Sequence, residues 1–150
     1  LGLATRADDA ADAALAADWL GLLHAHGVDF TLGWRRLADA AAGDEAPLHA
    51  LFASPAAHEW LARWRQRCAQ EDLSPAERAA RMRRVSPWII ARNHRVEEAL
   101  DAASQRDDLG PFERLLAALR QPFDEAPANA PYAEPAPAAV TASYQTFCGT

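Results

Sequence analysis

Ser86-Pro87-Trp88-Ile89-Ile90-Ala91-Arg92-Asn93-His94-Arg95-Val96-Glu97-Glu98-Ala99-Leu100 is the stretch on which the fold turns. Pro87 has no N–H and a fixed φ, and it pushes Ser86 out of the helical region, so a helix arriving from the N-terminal side ends here. Three large apolar residues follow, Trp88, Ile89 and Ile90, placed to be buried at a bend. Beyond Arg92-Asn93, the spacing of Val96, Ala99, Leu100 and Ala103 predicts a new helix. The stretch is read as a junction between two helical halves. Pro87, Arg92 and Asn93 are its structural residues, and the Arg92 and Asn93 side chains are expected to hydrogen-bond nearby backbone groups.

Working back from the junction, Ser74-Pro75-Ala76-Glu77 is a capping box that opens a basic helix running to about Arg84. Ser54-Pro55 is an N-cap followed by proline at the first helical position. On the helix it opens, Trp60, Trp64 and Cys68 form one stripe. Pro47 to Ala53 can hold a short helical turn. Phe30, Trp34, Leu37 and Ala41 mark a helix stopped by Gly43. Leu15, Trp19, Leu22, Leu23 and His26 mark another over about 8–26, with Asp8 and Asp9 at its start and Gly27 as its stop.

Working forward, Asp107 to Gly110 is a turn. Pro111, Phe112, Leu115, Leu116 and Leu119 mark a last helix, which the short connection sets antiparallel to the one before it. Prolines 122, 127, 131, 135 and 137 then predict an extended tail without helix. No strand alternation or repeat appears. The predicted fold is all-α: an irregular bundle of about six helices over 1–121, ending in a helical hairpin, with a proline-rich tail over 122–150.

The 150 residues are half apolar, enough for a sizeable core, with a net charge of −6. All fifteen basic residues are arginine, which together with the abundant alanine points to GC-rich coding. An acidic chain argues against a generic nucleic-acid binder. No apolar run reaches the about eighteen residues of a membrane span, and no secretory leader is visible. The start at Leu1-Gly2-Leu3 reads as a piece of a longer protein. Neither a membrane nor a nucleic acid is an expected partner.

Candidate chemistry is sparse. His24 and His26 lie two apart and do not share a helix face. His49, His58 and His94 stand alone, so no metal site is expected. Cys68, on the tryptophan stripe, reads as a small buried hydrophobe. Cys148 lies near the end of the tail after Tyr144 and Phe147, where a thiol is accessible; reactivity also needs a lowered pKa, which sequence does not supply. Arg78, Arg81, Arg83, Arg84, Arg92 and Arg95 concentrate positive charge, read as a solvated face or a docking face for an acidic neighbour in preference to a phosphate patch. No Gly-rich phosphate loop, nucleophile elbow or zinc helix motif is present.

Pro87-Trp88-Ile89-Ile90-Ala91-Arg92-Asn93 followed by a helix resembles the N-P-x-x-I-x-R-N segment of the selenoprotein O family, with Ser86 where the family commonly has Asn. Pro122-Phe123-Asp124-Glu125, the Tyr132 to Pro137 exit and Tyr144-Gln145-Thr146-Phe147-Cys148-Gly149-Thr150 resemble that family's C-terminal motifs in the same order. Leu1-Gly2-Leu3 and Val28-Asp29-Phe30-Thr31 fit the start of its C-terminal region. The resemblance implies a cytoplasmic bacterial protein adenylyltransferase of pseudokinase fold. Such an enzyme uses ATP and Mg²⁺ to transfer AMP to Ser, Thr or Tyr of protein substrates. Its catalytic, nucleotide-binding and metal-binding residues would lie in a kinase-like domain upstream, with none in this chain. Cys148 matches the family's terminal redox position. The alternative reading is an independent helical interaction module using the arginine face and the tail; a nucleic-acid-binding helical domain is the least favoured.

Overall fold

The computed structural model describes residues 1–5, 9–52 and 54–143. Every regular element among them is helical. Two compact units result, Leu1–Trp88 and Ile89–Thr150, and the boundary falls inside the junction stretch.

The first unit is punctuated by its caps. Helix α1, Asp9–Ala25, carries Asp9 and Asp12 in its first turn, where acids favour the positive end of the helix dipole. Gly27, at φ +60°, adopts the left-handed conformation that lets the Val28 N–H reach back 2.9 Å to the Leu23 carbonyl. The Asp29 side chain then accepts from the Leu32 N–H at 2.8 Å and opens α2, Phe30–Ala41. A single turn, α3 (Ala46–His49), leads to α4, Pro55–Cys68, where Ser54 accepts from the Ala56 N–H. Helix α5, Pro75–Val85, starts with both halves of the Ser74/Glu77 capping box in place.

Helix α1 packs on α4, and α2 packs on α3 and α5. Trp19, Trp60, Trp64, Leu37 and Leu61 are the large side chains at the centre of this unit. Trp19 sits 4.6 Å from Trp60 and 5.7 Å from Phe52, centroid to centroid. The indole N–H of Trp60 donates to the Leu15 carbonyl and that of Trp64 to the Leu1 carbonyl, each at 2.9 Å, so both rings are buried without leaving a donor unmatched. Gly33 lets α2 approach α1: a Cβ there would stand 2.5 Å from the Leu23 side chain.

The second unit is built on α6, Asn93–Arg106, and α7, Gly110–Leu119, packed together across residues 107–109. Asp107 ends α6 at φ +53°, and Asp108 accepts from the Gly110 N–H to start α7. Its buried apolar residues are mostly small: Ala99, Ala102 and Ala118, with Ile89 and Leu115. The Ile89 N–H donates to the Pro122 carbonyl at 3.0 Å, tying the junction to the end of the hairpin.

The expectation that prolines exclude helix beyond Pro122 is corrected. A 3₁₀ turn occupies Pro127–Asn129, followed by α8 (Ala130–Ala133) and α9 (Ala138–Ser143). Proline is excluded from helix interiors, but the first turn needs no N–H donor from it. Pro127 and Pro131 stand in that turn, and Pro137 immediately precedes α9.

Candidate functional site

The junction residues occupy separate positions. Pro87 follows the end of α5. The carbonyls left open at that end are capped from α2, because Arg35 donates to the Ser86 carbonyl at 2.8 Å and the Arg83 carbonyl at 3.1 Å. A cation at a helix C-terminus is favoured by the dipole as well as by the bonds. Arg35 is only 3% exposed, and nothing in the sequence marked it. Its one signal is position: it lies four residues from Thr31 and three from Ala38, both buried, on the inward face of α2. Arg92, also buried, donates to the Ala133 carbonyl at 3.1 Å. Asn93 is exposed at the first position of α6, a helix whose start has no side-chain cap.

A second cluster gathers around Glu71, in the connection between α4 and α5. Its carboxylate, 1% exposed, accepts from the Ala4 and Thr5 N–H groups at 2.9 Å and from the Thr5 hydroxyl at 3.1 Å. Arg78 donates to it at 2.9 Å and Arg67 at 3.2 Å. Burial alone pushes this carboxyl up, but the bonds from Thr5, Ala4 and Arg78 outweigh burial and hold it at about 2. Arg67 also grips Asp12 through two bonds, of 2.6 and 3.0 Å, and that pairing lowers the Asp12 carboxyl. Arg78 further donates to the Gly2 carbonyl at 2.8 Å and the Cys68 carbonyl at 3.0 Å. The cluster is a clamp that fastens residues 1–5 to α4 and α5.

These bonds redistribute the arginine concentration expected from sequence. Arg78 is buried in the clamp, Arg83 meets Asp39 at 2.6 Å, Arg92 holds Ala133, and Arg95 pairs with Glu98 at 2.9 Å. Arg81 and Arg84 are the exposed members. Cys68 is half-buried against the core, and burial pushes its thiol up, which suppresses thiolate chemistry. The imidazoles of His49 and His58 stack at 4.2 Å, a pairing that their spacing did not reveal, and Glu45 lies 3.4 Å from His49. Cys148 lies outside the described residues.

An apolar groove of about 470 Å³ opens where the start of α2 meets the end of α5, lined by Leu1–Leu3, Phe30, Trp34, Met82, Val85 and Pro87 among others. Among the described residues, no three His, Cys, Asp or Glu side chains are grouped to hold a metal ion. No described helix is long and apolar enough to cross a membrane.

Fold and clusters together define a helical region whose polar groups brace the backbone. No family model matches the chain. Over its whole length, however, it is 55% identical to a Chromobacterium violaceum protein named protein nucleotidyltransferase YdiU, of which it spans 31%. Proteins of the same name from Bradyrhizobium sp. (strain BTAi1) and Agrobacterium fabrum are 50% and 42% identical, again over the whole chain and 30% of each relative. The chain belongs to the selenoprotein O family, as its C-terminal region. It spans about a third of the length of these relatives.

Proposed function

We propose that this chain is the supporting C-terminal region of a bacterial protein adenylyltransferase whose chemistry resides upstream of Leu1. The observation that carries the reading is the match of the entire chain to the C-terminal 30% of proteins named nucleotidyltransferases. In this reading the upstream domain is kinase-like, binds ATP with Mg²⁺ and transfers AMP to hydroxyls of protein substrates in the cytoplasm. In this reading the residues that hold nucleotide and metal lie upstream, and no catalytic step is assigned to this chain. The experiment is transfer of label from α-labelled ATP. The full-length protein transfers label to protein, and residues 1–150 alone transfer none; robust transfer by residues 1–150 would overturn the assignment.

We propose further that residues 1–121 form the helical body and 122–150 a tail that presents Cys148 for disulfide exchange with a cysteine of the upstream domain. The terminal motif around Cys148 supports this. Under oxidising conditions, Cys148→Ser in the full-length protein should abolish a fast-migrating species on non-reducing gels. A species that persists in the variant refutes the tail's role.

A further inference from the structure

The groove beside the N-terminal clamp is shaped to be covered. Two of the large apolar side chains around it stand out in solvent: Phe30 is 60% exposed and Val85 78%. Phe30 is the first residue of α2 and Val85 the last of α5, so the packing of these two helices brings both to one end of the pair. Trp34 stands edge-on to Phe30 at 6.0 Å, and Met82 and Pro87 add to the apolar lining, with Arg81 also at the groove. A concave apolar site with protruding hydrophobic edges is the form of an interface core awaiting its partner.

The path of the chain identifies that partner. Leu1, Gly2 and Leu3 themselves line the groove. They are held there by the Trp64 bond to the Leu1 carbonyl, the Arg78 bond to the Gly2 carbonyl and the Glu71 grip on Ala4 and Thr5. In the relatives, about two-thirds of the protein precedes the matched region. A domain entering at Leu1 is therefore tethered at the edge of the groove, and covalent attachment there raises its effective concentration at the site. We propose that the groove of Phe30, Trp34, Met82, Val85 and Pro87 is the docking site of the domain that immediately precedes Leu1 in the full-length protein.

This inference rests on the reading above only in requiring that upstream domain, not its activity, and its test reads contact. In the purified full-length protein, Phe30→p-benzoylphenylalanine keeps an aromatic group at an exposed position and captures what lies against it on irradiation. Peptide mapping should place the main adduct within one molecule, on residues upstream of Leu1. Val85→Arg in the same protein should lower that adduct by about tenfold, because it puts an unmatched charge into the docked surface. Adducts confined to residues 1–150, adducts only between two molecules, no peptide adduct, or a yield indifferent to Val85→Arg would each overturn the proposal. AMP transfer measured on the same preparation separates the two readings: capture without transfer leaves the docking site standing and removes the assigned activity.

Discussion

The two compact units differ in what fills their buried space. In Leu1–Trp88, Trp19, Trp60, Trp64, Leu37 and Leu61 are each at most 2% exposed, and buried charges such as Glu71 and Arg78 meet matched partners. In the described part of Ile89–Thr150, alanines fill much of the buried space, while Leu100 and Leu109 are 54% exposed and Phe112 and Phe123 43%. Apolar burial provides most of the free energy that opposes chain entropy, so the first unit holds the larger share of stabilisation. The second adds hydrogen-bonded ties between distant segments, Ile89 to Pro122 at 3.0 Å and Arg92 to Ala133 at 3.1 Å.

This contrast can be broken first at Glu71. Glu71→Ala leaves Arg78 without its buried counter-charge and the Ala4 and Thr5 N–H groups without acceptors. The expected loss is about 3–5 kcal/mol, read from the urea midpoint. A loss below about 1 kcal/mol would show that the clamp contributes no more than a surface pair.

Acid probes the same group with a smaller effect. The Glu71 carboxyl is depressed from 4.5 to about 2 in the folded chain. Its stabilisation is therefore fully present above the unfolded value and is lost as pH falls through the folded one. Wild type should lose stability between about pH 5 and 2, and the gap separating it from Glu71→Ala should narrow over that range. A constant gap contradicts the assigned ionisation.

The smallest effect is expected in the second unit. Leu100→Glu, at a position already half in water, should change the stability of residues 1–150 by no more than about 0.5 kcal/mol in a thermal melt. A loss of several kcal/mol would mean that Leu100 packs in a core after all.

Much of this arrangement was legible because helix ends carry local chemistry. Ser54-Pro55, the Ser74/Glu77 box and Gly27 announced their boundaries, and the Trp60/Trp64 stripe announced a buried face. The clamp was not legible. Glu71 falls in a connecting segment, and the backbone groups it holds lie 66 and 67 positions away. Arg35 was hidden for a related reason: an arginine on an inward face looks like an interruption until the carbonyls it caps, 48 and 51 residues on, are placed beside it. The short tail helices were missed because proline was read as a breaker, although it is suited to a first turn.

Native-state hydrogen exchange on residues 1–150 tests the contrast most directly. Amides of α4 around Trp60 and Trp64 should exchange at the slow limit set by global unfolding. Those of α6 around Ala99 and Ala102 should exchange at least about tenfold faster through local opening. Equal protection in the two helices, or slower exchange in α6, would contradict the assignment of the dominant core to residues 1–88.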